Sequence, residues 1–223
     1  MNAGDEPNNG AAVAVLASGG LDSAILVADL LRQERAVQPI YIRFGLTWEA
    51  VEEAHLRRFL ETLPARELVT LDFPIADVYG AHWSLSARGV PDADSPDDAV
   101  YLPGRNLLLV AKAAVWCALH GISTIALGTL KGNPFTDSSP KFFAELGSVV
   151  QTGLDWPFEI VTPFSELTKG DVLDLGRDLA LQHTFSCIHP AGEQHCGRCN
   201  KCAERRRAFS DLSIEDVTTY AAG

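Results

Sequence analysis

The 223-residue sequence has no uninterrupted apolar run of the roughly 18 residues that a membrane-crossing helix needs. Its first ten residues, MNAGDEPNNG, are polar and acidic, without the basic-then-apolar order of a secretory leader. A cytoplasmic protein with a short disordered leader and no membrane partner is therefore expected. Basic residues are also scarce: 18 Lys and Arg stand against 29 Asp and Glu, a formal charge of −11. That field repels a phosphate backbone, so nucleic acid is disfavoured as a partner unless a local basic surface overcomes it. Neither G-x-x-x-x-G-K-[ST] nor G-x-G-x-x-G occurs, which removes the common nucleotide triphosphatase loop and the dinucleotide fingerprint. No internal repeat or low-complexity tract is present. No Ser-His-Asp set or close carboxylate pair stands out, so hydrolase chemistry has no support.

What is present is ordinary globular composition, 47% hydrophobic and 21% charged, enough for one main core with at most a small appendage. Short apolar, often β-branched runs alternate with segments of helical period, the pattern of βαβ units. Strands are expected near Ala12–Ala17, Pro39–Phe44, Glu67–Leu71, Thr124–Leu127 and Glu159–Val161. Helices are expected over Ser23–Gln33, Trp48–Leu63, Arg105–His120, Lys141–Val150 and Lys169–Leu179. The fold class is then α/β, an open parallel five-stranded sheet with helices on both faces. Arg88–Asp98, RGVPDADSPDD, reads as a mobile surface loop. Ser213–Ala222 reads as a short helix capped by Ser213, with Glu215 and Asp216 in its first turn.

The first apolar run leads into ASGGLDS at residues 17–23. A strand that ends in glycines and turns into a helix exposes a row of N–H groups where the helix dipole favours negative charge, which makes a phosphate cradle. Gly19 and Gly20 let the backbone approach an anion, Ser18 and Ser23 supply hydroxyl donors, and Asp22 can hold a magnesium ion. The same glycines would also suit a tight strand-to-helix turn without a ligand.

Near the other end, SCIHPAGEQHCGRCNKC carries Cys187, Cys196, Cys199 and Cys202 within 16 residues. Two overlapping C-x-x-C steps and a return loop to Cys187 suit a tetrahedral structural zinc site, with His189 and His195 as competing ligands. Disulfides fit poorly with a reducing compartment. Four thiolates leave no open position for water, so the metal is a staple and not a catalyst. Cys117, in the apolar stretch AAVWCALHG, reads as a small core residue.

SGGLDS resembles the pyrophosphate loop (PP-loop) of the ATP pyrophosphatase superfamily. With YLPGRN at 101–106, TPFSELTKGDVLDLG at 162–176 and FSCIHPAGEQHCGRCNKCAERRRAF at 185–209, the chain resembles the 7-cyano-7-deazaguanine synthase family over nearly its whole length. The resemblance implies an adenine nucleotide alpha-hydrolase-like ATP-binding domain over residues 1–180 and a zinc module with a helical tail over 181–223. It implies that Ser18, Gly19, Gly20, Leu21, Asp22 and Ser23 hold the pyrophosphate end of ATP, with Arg43 and Phe44 beside the adenine. ATP, ammonia and magnesium are the implied co-reactants. In the reaction the resemblance implies, ATP adenylates the carboxylate of a deazaguanine acid, ammonia displaces AMP, and a second activation leads from amide to nitrile.

Further roles follow from chemistry. Lys169 matches a family lysine and would stabilise charge on the transferring phosphoryl group; as a first-turn lysine it also has an ordinary reading. Arg105, after Pro103-Gly104, would clamp a carboxylate or phosphate, or else pair with Asp97 and Asp98. Asn106 is placed beside the substrate with it. The segment GTLKGNPFTDSSPKFFAEL departs from the family pattern, which bears on the acceptor more than on ATP. Within it, Phe135 and Phe142 are candidates to stack a flat heterocycle and Asp137 to read its guanine-like edge, with Phe143 assigned to the core.

Three other readings stay open. A divergent PP-loop enzyme would activate another carboxylate or join a deazaguanine acid to another amine. A tRNA-modifying relative would use Arg198, Lys201, Arg205, Arg206 and Arg207, a run that otherwise forms a solvated helix face. A non-catalytic sensor would have no need for both Asp22 and Lys169. A homodimer is an open assembly.

Overall fold

The computed structural model of the protein describes residues 12–221. The acidic leader expected at the N-terminus lies outside the described residues. Five strands form one sheet: β1 (Val13–Leu16), β2 (Val37–Arg43), β3 (Val69–Asp72), β4 (Thr124–Ala126) and β5 (Glu159–Val161). All neighbouring pairs are parallel and the order is β3-β2-β1-β4-β5. Parallel neighbours need long crossovers, and here helices supply them. The chain steps outward from β1 to β3, then returns to the other side of β1 for β4. That reversal puts a crevice outside the carboxyl ends of β1 and β4, where open α/β sheets take ligands.

The crossover helices are α1 (Leu21–Arg32) and α2 (Glu49–Leu60), then two single turns, α3 (Ala76–Tyr79) and α4 (Trp83–Ser86), before α5 (Arg105–Leu119). α6 (Pro140–Leu154) leads to β5, and α7 (Lys169–Leu175) and α8 (Asn200–Asp211) follow it. Strand alternation divides the core between the two faces. Val13, Val15, Val37 and Tyr41 pack with α1 and α2, whereas Ala14, Ile40, Ile42 and Ile125 pack with α5 and α6. Cys117 and Phe143 are buried in the second of these layers, as expected for core residues. Asp97–Leu119 is long and apolar enough by composition to cross a bilayer, but it buries Val110, Ala113, Ala114 and Cys117 as a sheet-covering helix does.

The residues after 180 share both cores. Phe185, Cys187 and Ile188 belong to the α5/α6 side, and Ala208 and Phe209 of α8 to the other.

Two expectations need correction. No helix forms over Ser213–Tyr220: Ser213 has φ +52°, and its N–H donates to Ser210 O, so it closes α8 instead of opening a new helix. A segment this short is marginal as a helix. Tertiary contacts take it instead: Thr218 accepts from buried Arg205, and Ala221 N–H donates to His195 O. Likewise the Arg88–Asp98 loop is docked and not free. Asn200 donates its backbone N–H to Pro91 O and its side-chain amide to Ser95 O, tying the loop to the cysteine segment.

Candidate active site

The loop after β1 is built by glycine and by a polar wrap. Gly19 has φ +74°, and a Cβ there would lie 3.1 Å from Glu52 O and 3.2 Å from Glu52 Cγ, so both conformation and space exclude a side chain. Ser18 N–H donates to Ser23 Oγ (3.1 Å), and Ser23 Oγ donates to Gly20 O (3.3 Å). Gly20 is the N-cap of α1 in extended conformation, with no side-chain cap. The leading N–H groups of a 12-residue helix are thus left for an anion. Gly128, just past β4, backs onto this turn: a Cβ there would meet Asp22 C and O at 3.1 Å.

Asp22 lies in the first turn of α1 and Lys169 is the first residue of α7. A reciprocal capping box between Thr168 and Asp171 fixes the start of α7 and hence the base of the Lys169 side chain. Lys169 Nζ donates to both carboxylate oxygens of Asp22 at 2.8 Å and lies 3.6 Å from Glu204, which also pairs with Lys201. Burial alone would lower the Lys169 pKa, but Asp22 and Glu204 outweigh it and hold the ammonium above its usual range.

These groups line one cavity of about 230 Å³, which Ser18, Gly20, Leu21, Arg105 and Glu52 also border. Trp48, Trp83 and Phe135 make its apolar walls. Trp48 and Trp83 stack with centroids 5.7 Å apart, and Phe135 stacks on Tyr101 at 5.0 Å. Such flat walls fit a planar ligand. Arg105 begins α5 after Gly104, which adopts φ +72°. Its Nε is buried without a hydrogen-bond partner, and its side chain borders the cavity. The alternative pairing with Asp97 is not made; Asp97 instead faces Arg207 at 3.9 Å.

Other expected site residues lie elsewhere. Arg43 is held by Glu53 (2.7 Å), and Phe44 is buried with its N–H given to Glu49; neither borders the cavity. Asn106 and Asp137 bind each other: the Asn106 N–H donates to Asp137 Oδ2 (3.0 Å) and its amide to Asp137 O (2.9 Å). They brace the first turn of α5, which carries Arg105, and do not border the cavity. Phe142 packs edge-on against Phe143, away from it. Within 128–143, only Phe135 reaches the cavity wall.

Sequence reasoning missed Glu52, Trp48, Trp83 and Glu204. Glu52 carried a readable signal: it falls four residues before Leu56 on the helix face that also buries Phe59 and Leu60, where a carboxylate is out of place. Tyr41 OH donates to Glu52 Oε2 at 2.7 Å. Burial pushes the Glu52 carboxyl up to about 7 against the pull of Arg105.

Cys187, Cys196, Cys199 and Cys202 are buried with their sulfurs all within 4.8 Å of one another. The Sγ separations of 3.8 Å (Cys187–Cys199) and 3.9 Å (Cys196–Cys202) match the ~3.8 Å edge of a tetrahedron with metal–sulfur bonds of about 2.3 Å. Backbone N–H groups of His189 and Cys196 point at Cys187 Sγ, and that of Arg198 at Cys196 Sγ, which favours the thiolate form. The four-sulfur set fits a closed structural metal site. His195 stands outside the four-sulfur set: its Nε2 is occupied in accepting Ser186 N–H at 3.1 Å. The cluster braces the Gly19-Gly20 loop through Phe185 N–H, which donates to Gly19 O at 2.7 Å.

The basic run is not one surface. Arg205 is buried on Thr184, Leu181 O and Thr218, Arg206 lies over the Tyr220 ring at 4.1 Å, and Lys201 is paired with Glu204.

The family model described as queuosine biosynthesis protein QueC matches residues 12–213. The 7-cyano-7-deazaguanine synthase of Desulfotalea psychrophila is 30% identical over 214 residues, covering 92% of this chain and 97% of that protein. Its namesake in Methanocaldococcus jannaschii is 29% identical over 232 residues, covering 94% and 98%. In fold the chain is similar to a 4-thiouridine synthetase solved with RNA and ATP, at a TM-score of 0.52 and 13% identity over 91% of this chain and 50% of that one.

Proposed function

The chain belongs to the QueC family of queuosine biosynthesis proteins, and on that footing we propose that it is an ATP-dependent ligase acting in the cytoplasm. It adenylates the carboxylate of 7-carboxy-7-deazaguanine and uses ammonia to form 7-cyano-7-deazaguanine. The observation that carries the reading is the glycine loop and the Asp22–Lys169 pair facing a flat-walled cavity that Arg105 also borders.

The open N–H groups at the start of α1 and the Ser18 hydroxyl receive the phosphates of ATP. Trp48, Trp83 and Phe135 hold the heterocycle, and Arg105 steers its carboxylate. A carboxylate oxygen attacks the α-phosphorus and pyrophosphate departs. Lys169, exchanging Asp22 for the phosphates, stabilises the charge that develops there. Ammonia then displaces AMP to give the amide; a second ATP activates the amide oxygen, which leaves on AMP as the nitrogen loses its protons. Asp22 and Glu204 offer oxygens for magnesium, which when bound neutralises phosphate charge. Zinc is the metal we assign to the four cysteines, holding Phe185 against the loop.

The test is incubation with ATP, ammonium and the carboxy-deazaguanine, with AMP and the nitrile detected by mass spectrometry. AMP formation that requires the acid supports the reading; none with any acid refutes it. The divergent segment 128–143 favours a second reading, in which another planar carboxylate is activated, and a panel of such acids distinguishes the two. The scattered side chains of the basic run lend no support to RNA as the substrate.

A further inference from the structure

Three carboxylates border the cavity: Asp22, Glu204 and Glu52. Asp22 is held at both oxygens by Lys169, and Glu204 lies between Lys169 and Lys201. Among the described residues Glu52 makes no ion pair, although it is buried. It stands beside the phosphate loop, its Cγ within 3.2 Å of where a Gly19 side chain would begin, so it adjoins the place where an acyl adenylate would form. The groups that face it are Tyr41 from β2, Trp48 and Glu49 from its own end of α2, and Arg105 from α5.

The proposed reaction needs a base that none of the other groups supplies. Ammonia is mostly ammonium at neutral pH, and it must shed a proton before its nitrogen has a lone pair with which to attack the acyl carbon. We propose that Glu52 is the proton acceptor for the amine nucleophile in this cavity. The inference rests on the activity proposed above. In the step, the nitrogen lone pair forms the N–C bond, the acyl C–O bond to AMP breaks, and AMP leaves with that electron pair. The proton that ammonium gives up to free that lone pair passes to a Glu52 carboxylate oxygen; the second proton, lost from nitrogen once the N–C bond has formed, goes to the leaving phosphate and water, as it does with any amine. A base works best when its pKa lies near the working pH, and burial brings the Glu52 carboxyl to about 7. An ordinary exposed glutamate, with a pKa near 4.3, would be too weak.

The experiment compares the unsubstituted protein with Glu52→Gln in two assays: carboxylate-dependent exchange of pyrophosphate into ATP, which reads adenylation, and amide formation from ammonium or hydroxylamine. Hydroxylamine is already unprotonated at neutral pH, so it has no proton to give up before it attacks. Glu52→Gln is expected to keep exchange within about threefold and to lose at least about 100-fold in kcat/KM for ammonium. With hydroxylamine it should come within about threefold of the unsubstituted protein. Equal loss with both amines, or loss of exchange in proportion, would overturn the proposal, as would unchanged ammonium use. If Glu52→Gln does not fold, Tyr41→Phe serves instead. It removes a hydrogen bond to the carboxylate, so the rising limb of the ammonium pH profile should move to higher pH; an unmoved limb refutes the base. No carboxylate-dependent exchange in the unsubstituted protein would remove the activity, and this inference with it.

Discussion

Lys169 Nζ lies 2.8 Å from both carboxylate oxygens of Asp22, although 147 residues separate them in the chain. Each sits in the first turn of its helix, so the pair spans the N-termini of α1 and α7 beside the glycine loop. Helix starts favour anions, and a lysine placed there is matched by the Asp22 carboxylate.

Replacing either partner should separate chemistry from folding. Asp22→Ala and Lys169→Ala are each expected to reduce carboxylate-dependent pyrophosphate release by at least about 100-fold, the scale of losing a charge-stabilising donor. The part-exposed position of both side chains leaves the far-UV circular dichroism unchanged. Release at the unsubstituted rate in either variant would count against the assignment.

Glu52 should leave a mark on stability as well as on rate. Its folded pKa of about 7 lies above the unfolded value near 4.3, so the folded state retains a proton that the unfolded chain releases. This group's contribution is full below about pH 4.3 and is lost as pH rises to about 7, a change of up to about 4 kcal/mol at 1.36 kcal/mol per pKa unit. Glu52→Gln should therefore gain stability relative to the unsubstituted protein between pH 5 and pH 8, measured by urea unfolding. Parallel curves across that range would show that the buried carboxyl does not titrate as described.

For the cysteine site, protein purified without chelators is expected to carry about one zinc per chain by elemental analysis. Cys199→Ser should lose it, and because Phe185 ties the module to Gly19, nucleotide binding should weaken with the metal. Full zinc content in that variant would mean that the ion sits elsewhere.

Arg205 donates to Thr184, Thr218 and Leu181 O from a buried position. Removing a buried charged donor strands those acceptors, so Arg205→Ala is expected to cost at least about 2 kcal/mol. Lysine cannot reproduce the forked geometry and should rescue little of it. Chemical unfolding measures both; a neutral Arg205→Ala would contradict the network.

Asp137 should act through α5. Its carboxylate receives the Asn106 N–H, and loss of that acceptor is worth about 1–3 kcal/mol. Asp137→Ala is expected to lower stability by that amount and, by loosening Arg105, to raise the KM of the acceptor carboxylate more than that of ATP. Steady-state kinetics with a melting curve test this. An acceptor KM that rises with no change in stability would instead favour Asp137 as a direct reader of the heterocycle.

Much of this protein was determined by patterns within a few residues of one another. Alternating apolar runs specified the parallel strands, because strand and helix periods are local. Gly19-Gly20 specified the anion turn, because only glycine tolerates that backbone beside α2. Four cysteines spaced along 16 residues can close on one point with little help from the rest of the chain. Tertiary structure decided the rest. Ser213–Tyr220 has the composition of a short helix, yet bonding with Arg205 and His195 outweighs a helix too short to hold itself. Arg205 looks basic and solvated in sequence and is buried. Asp137 and Glu52 exchange the roles that local context suggests: the loop carboxylate braces a helix, and the helical carboxylate borders the cavity. Which face a side chain meets, and how dry that place is, depends on packing across the sheet between segments far apart in the chain.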